Sequence, residues 1–165
     1  MNVTEGLRND HELLRRRLAR LEQWLPAAYA APALIRNQVW LLALRAEEHL
    51  AREETLIEAL RDKLAPETRR EVAWRLAEHQ DHWQTLQTLK GLIERNGAGA
   101  ADHMDQIVAY TAHLTDGLRE HMAEEERRLF VMMDRAARHG AEAARPASAE
   151  SAGAIEASPA MSPPG

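Results

Sequence analysis

The sequence predicts an all-α protein, an up-down-up-down antiparallel four-helix bundle. Three observations predict it. Apolar residues recur at alternating spacings of three and four along most of the chain, the mark of helices with one buried stripe. The breaks between these stretches are short and carry Pro or Gly, which favours antiparallel neighbours. No segment alternates apolar and polar residues as a half-buried strand would.

The first helix is expected from about Val3 to Leu25, with Leu7, Leu14, Leu18, Leu21 and Leu25 as its stripe. Pro26 and the run PAAYAAP end it, because proline lacks the N–H that continues a helix. The second runs from about Ala33 to Leu64 and buries Ile35, Val39, Leu42, Leu56 and Leu60. Pro66 suits the first turn of the third helix, which buries Val72, Leu76, Trp83 and Leu86 and ends near Asn96 at NGAG. Asp102 can cap the fourth, which continues to about His139 over Ile107, Tyr110, Leu114, Leu118, Leu129 and Met132. The bundle is thus assigned to residues 1–139. Residues 140–165, rich in Ala, Ser and Pro and without helical spacing, read as a disordered tail.

A chain of 165 residues supports one domain with a real core. Its net charge of −5, with acids and bases interspersed, argues against a nucleic-acid binder, which would show a basic face. No apolar run is long enough to cross a bilayer, and the first residues lack the pattern of a signal peptide, so a cytoplasmic location is expected. The absence of cysteine excludes disulfides, thiolate metal sites and cysteine nucleophiles. The unusual count is eight histidines.

A two-helix unit repeats. HLAREE at His49–Glu54 matches HMAEEE at His121–Glu126 at four of six positions, and Asp10-His11 is echoed by Glu78-His79. Polar residues interrupt each stripe at related points. The sequence runs Leu7, His11, Leu14 in the first helix and Ala46, His49, Glu53, Leu56 in the second. It runs Leu76, His79, Trp83 in the third and Leu118, His121, Glu125, Leu129 in the fourth. Each helix turns one histidine inward, and two add a glutamate four residues on, about 5–6 Å away on the same face.

Depth can be compared through the rise of about 1.5 Å per residue. His11 lies roughly 21 Å before the end of its helix, and His49 roughly 24 Å after the start of the next. The His49/Glu53 midpoint and His79 are each roughly 20 Å from the second connection; His79 and His121 are roughly 25 and 27 Å from the third. All six side chains are therefore expected in one layer. A lone inward histidine is usually a hydrogen-bonded core residue, but four imidazoles and two carboxylates in one apolar layer are costly unless a positive charge is supplied. Two divalent cations bridged by the carboxylates would supply it, and the donor set suits iron, manganese or zinc rather than calcium or magnesium.

The other histidines read differently. His103 and His139 fall at helix ends, His113 lies one step off the stripe, and His82 sits at the stripe's edge beside the layer, with the option of being a fifth imidazole. Glu47, Glu48, Glu54, Glu124 and Glu126 read as a solvated face. Of the four tryptophans, Trp24, Trp40, Trp74 and Trp83, only Trp83 lies in the stripe near the layer.

The pattern His11, His49-x-x-x-Glu53, His79, His121-x-x-x-Glu125 resembles the hemerythrin-like, or HHE cation-binding, family across roughly residues 5–135. The resemblance implies that these six residues ligate two iron ions (Fe2+/Fe3+) with an oxo or hydroxo bridge, Glu53 and Glu125 bridging. It departs from the oxygen carriers of that family, which have a second histidine on the third helix, four residues from the first. Here the positions four before and four after His79 are Arg75 and Trp83. The carriers also place an aspartate five residues after the fourth-helix histidine, where this chain has Glu125 four after His121. Four histidines and two glutamates look more like the branch with iron-sensing domains and proteins linked to nitric-oxide stress and repair of iron centres. Such a ligand set leaves coordination positions open for dioxygen, nitric oxide or peroxide. The implied function is binding or sensing of dioxygen, nitric oxide or iron. The alternative is a redox enzyme or iron-donating repair protein in nitrosative or oxidative stress.

Overall fold

The computed structural model describes residues 2–95 and 103–143. Helix α1 spans Glu5–Trp24, α2 Pro32–Leu60, α3 Pro66–Arg95 and α4 Met104–Glu124. One π turn, Glu125–Leu129, joins α4 to α5, Phe130–Ala143, so that these form a single rod. Pro32 and Pro66 both stand at the start of a helix, where the missing N–H costs nothing. The second helix stops at Leu60 and tightens into a 3-10 turn, Arg61–Lys63, before Leu64 turns extended ahead of Pro66. Asn96 and Asp102, the expected stop and cap, lie outside the described residues. Of the expected tail, positions 140–143 instead continue α5, whose helical hydrogen bonding runs past the expected end, and residues 144–165 lie outside the described ones.

Cross-helix ion pairs and hydrogen bonds fix the directions. Glu22 meets Arg119, His11 meets Glu126 and Thr4 meets Asp134, so α1 runs antiparallel to the α4–α5 rod. Lys90 meets Glu47 and Trp83 meets Glu54 between α2 and α3. The same descending order relates Asp10–Arg52 and His11–His49 between α1 and α2, and Thr68–Met132 and Arg75–Glu124 between α3 and the fourth rod. The result is the up-down-up-down bundle.

The core falls into two apolar clusters. One holds Leu14, Leu18, Val39, Leu50, Leu86, Leu118 and Met122, among others; the second holds Leu7, Ile57, Leu60, Val72, Leu129, Phe130 and Met133. Between Leu7 and Leu14, Leu50 and Ile57, Val72 and Leu86, and Met122 and Leu129, the interior is polar. That gap positions the site.

Several stripe positions differ from expectation. Ile57 is buried in place of Leu56, and Thr111 in place of Tyr110, which is exposed. Arg75 is buried and Leu76 only partly so, because Arg75 closes a set of acids at the α3–α4 seam. Met133 replaces Met132 inside, for a backbone reason. A π turn holds one more residue than an α turn, which advances the buried face beyond it by one position. No described helix is long and apolar enough to cross a membrane.

Candidate metal centre

His11 on α1, His49 and Glu53 on α2, His79 on α3, His121 on α4 and Glu125 at the head of the π turn are all buried, each with at most 2% of its surface exposed. The structure brings all six together in the polar layer. Facing nitrogens Nε2 of His11 and His49 are 3.2 Å apart, and the rings of His79 and His121 lie edge to face with centroids 5.0 Å apart. The histidines thus form two pairs, one from α1 and α2, the other from α3 and α4.

Glu125 stands between the pairs and divides its oxygens. Its Oε2 is 3.2 Å from His11 Nε2 and 3.8 Å from His49 Nε2, while its Oε1 is 2.7 Å from His121 Nε2 and 3.8 Å from His79 Nε2. Glu53 presents Oε2 alone, at 3.8, 3.5 and 4.0 Å from Nε2 of His49, His79 and His121. One donor atom from each of His49, Glu53, His121 and Glu125 can be chosen so that all lie within 4.8 Å of one another.

Each Nδ1 faces a second acid. His11 Nδ1 donates to Glu126 at 2.7 Å and His79 Nδ1 to Glu54 at 3.1 Å. Glu78 approaches His121 Nδ1 at 3.5 Å and Asp10 approaches His49 Nδ1 at 3.9 Å. The four acids form a closed circuit: α1 supplies α2, α2 supplies α3, α3 supplies α4, and the residue after Glu125 returns to α1. The sequence repeat maps it onto itself, Asp10 matching Glu78 and Glu54 matching Glu126. Outward, Arg52 donates to Asp10, Arg15 pairs with Glu126 at 3.0 Å, and Arg75 donates to Glu78 at 2.7 Å. Glu54 instead accepts from the indole of Trp83 at 3.3 Å.

These outer acids correct the reading of Glu54 and Glu126 as a solvated face. Each lies beside an inward residue, and one step along a helix turns a side chain by about 100°, from the core to the seam with the next helix. The doublets Asp10-His11, Glu53-Glu54, Glu78-His79 and Glu125-Glu126 are the signal that could have found them. Glu48 is exposed and pairs with Arg45, Glu47 with Lys90, and Glu124 with Arg75 and Arg127. His82 stands outside the layer, its ring edge-on to His121 with centroids 5.0 Å apart. His103 takes the N-cap position of α4 and His113 is exposed. Trp24 and Trp83 pack partly buried on the core, Trp40 carries Lys90 over its ring, and Trp74 is exposed beneath Arg75.

The electrostatics test what the layer can hold. Burial, with the Glu125 charge beside it, pushes the Glu53 carboxyl up to about 8. Burial also acts on Glu125, but the imidazoles of His11, His121, His49 and His79 around it outweigh burial and hold that carboxyl well below its ordinary range. Burial disfavours a charged His79, yet Glu125, Glu53 and Glu54 together push it up to about 10. Burial, helped by the neighbouring His11, lowers His49. Without a cation, the layer therefore keeps protons on Glu53 and His79, the positive charge that a metal would replace.

Among the described residues, both oxygens of Glu53, both oxygens of Glu125, Nε2 of His79, both ring nitrogens of His121 and Nδ1 of His49 lack a well-aligned hydrogen-bond partner. Unmade hydrogen bonds on buried charged groups are among the costliest defects a fold can carry. With Nδ1 of His79 committed to Glu54, a neutral ring would turn its Nε2 lone pair toward the Glu53 and Glu125 oxygens, an arrangement that only a second proton or a cation between them relieves. Metal–ligand bonds of about 2.0–2.2 Å place adjacent donor atoms roughly 3 Å apart, the scale of the closest approaches here. The donor set, its spacing and its orphaned atoms fit a cation centre, and this buried His/Glu cluster fits a metal site.

The sequence profile of the family described as Hemerythrin HHE cation binding domain matches residues 2–133. No curated protein and no solved structure matches the chain significantly.

Proposed function

The chain belongs to the hemerythrin HHE cation-binding family, and from that premise we propose that it is a non-haem di-iron protein that binds a small diatomic ligand, dioxygen or nitric oxide. A hemerythrin-like domain implies binding of iron. In our reading His11 and His49 hold one ion, His79 and His121 the other, and Glu53 and Glu125 bridge them. The observation that carries this is the division of Glu125, one oxygen to each histidine pair, with no other hydrogen-bond partner for the four inner carboxylate oxygens among the described residues.

When bound, an iron pair supplies open coordination positions that accept a diatomic ligand and exchange electrons with it. The chain's own contribution is orientation and charge. With a metal bound, Glu126 and Glu54 would hold Nδ1–H of His11 and His79, leaving Nε2 of each ring free to ligate and more basic than alone, while Asp10 and Glu78 place negative charge near Nδ1 of His49 and His121. Two apolar clusters close the layer above and below and keep bulk water from the inner carboxylates.

Metal analysis of the purified chain, with optical spectra in air and under argon, tests the proposal. The expected result is close to two iron ions per chain and visible absorption that changes with dioxygen or nitric oxide; colourless, iron-free protein from iron-replete cells would overturn it. Turnover assays with nitric oxide or peroxide separate simple binding, which consumes ligand stoichiometrically, from redox catalysis. The outer acids give a graded check. Glu126→Gln leaves a side chain of the same size but a weaker acceptor at His11, and metal affinity in chelator competition should fall about 10- to 100-fold. Glu48→Gln, on an exposed acid outside the circuit, should leave affinity unchanged.

A further inference from the structure

A cavity of about 200 Å³ opens between α3 and α4, with Asp81, His82, His113, Gly117, Glu120 and His121 in its wall. That volume holds several waters, each taking about 30 Å³ in the liquid, or a diatomic molecule with room to spare. His121 belongs to the buried layer and is 2% exposed, so the cavity ends against the site itself. The His82 ring lines the same cavity and stands edge-on to His121, with centroids 5.0 Å apart.

Gly117 sits within α4, and a mid-helix glycine costs roughly 1 kcal/mol relative to alanine. No described glycine has a positive φ, so backbone geometry does not require it. Space does. A Cβ at position 117 would lie 3.1 Å from His82 Cε1 and 3.7 Å from its Nδ1. At the other histidine pair the Phe130 ring covers His11, stacked with centroids 5.0 Å apart, and His49 packs edge-on against His11 at 4.6 Å.

From this asymmetry we infer that exogenous ligand reaches the centre on its His79/His121 side, through the α3–α4 cavity, with His82 as the movable barrier and Gly117 providing the room it needs. The carboxylates of Asp81 and Glu120 at the mouth, with Glu78 deeper in, disfavour anions and admit neutral diatomics. The inference rests on the metal centre proposed above.

The test uses the full-length, iron-loaded, reduced chain, with iron per chain measured first and nitric oxide as the probe. Gly117→Val should keep the wild-type iron content while association and dissociation both slow about tenfold or more, leaving affinity nearly unchanged, as expected when the barrier lies on the path. His82→Ala should speed both. If Gly117→Val does not fold, Gly117→Ala should show a smaller slowing in the same direction, because its Cβ alone crowds His82. Wild-type rates in iron-loaded Gly117 and His82 variants would overturn the route, as would slowing or acceleration confined to Phe130→Leu on the opposite side. Wild-type chain that takes up no iron would instead overturn the metal centre, and the route with it.

Discussion

Replacing Glu125 with alanine is expected to empty the entire centre, taking iron from close to two ions per chain to less than about a tenth of that, without loss of helical circular dichroism. The size of the effect follows from where its oxygens point. Glu125 is within 4 Å of all four histidine Nε2 atoms and is split between the pairs, whereas Glu53 offers one oxygen to three of them. In the proposed two-ion centre, losing Glu125 would remove a ligand from both ions at once and half of the layer's inner carboxylates, leaving the surviving imidazoles with weak, separate sites. The fold should survive, because two apolar clusters flank the layer and neither includes Glu125. Iron analysis beside far-ultraviolet circular dichroism separates loss of metal from loss of fold. Retention of one full ion per chain would show that the two positions do not depend on a shared Glu125.

The second large effect is a reversal in how pH acts on stability. In metal-free protein, Glu53 titrates near 8 and His79 near 10. Their ordinary values are 4.5 and 6.5. Both folded values are raised, so the stabilisation is complete below the ordinary value and is lost as pH rises through the folded one. Between about pH 6.5 and 8 both act together, and each proton held by the fold but not by the unfolded chain is worth about 1.4 kcal/mol per pH unit. Below pH 6.5 the lowered values of His49 and His82 pull the other way, since the unfolded chain takes up protons that these buried rings refuse. Metal-free protein should therefore lose thermal stability from pH 6.5 to 8. Metal-loaded protein should not, because the ions occupy the place of those protons and bind more tightly as protons leave. The gap in melting temperature between the two forms should widen with pH. A constant gap would mean that Glu53 and His79 carry no protons in the metal-free fold.

The helices and the inward set were legible because both obey one period. A side chain that recurs on the stripe is buried wherever the stripe is buried, and His11, His49, Glu53, His79, His121 and Glu125 all lie on it. Connections were legible through Pro26, Pro32 and Pro66. What escaped was one residue off the stripe. Glu54 and Glu126 occupy positions that are exposed on an isolated helix and become half-buried only where a neighbouring histidine lies across the seam. Arg75 was hidden for the same reason, since its burial depends on Glu71 and Glu78 on its own helix and Glu124 on the next. The exchange of Met132 for Met133 had no local signal at all, because a single π turn needs no Pro or Gly and shows itself only in the packing beyond it.

That extra residue makes the fourth rod two instruments tuned a step apart. Upstream of it, His121 and Glu125 address the centre. Downstream, Phe130 settles over His11, and Asp134 accepts hydrogen bonds from the backbone and hydroxyl of Thr4, clasping the start of the chain. An ideal straight bundle grafted with the same six polar side chains would reproduce the upstream half and misphase the rest, leaving His11 uncovered and the first turn unclasped. The transferable unit is consequently the polar layer together with its slipped turn.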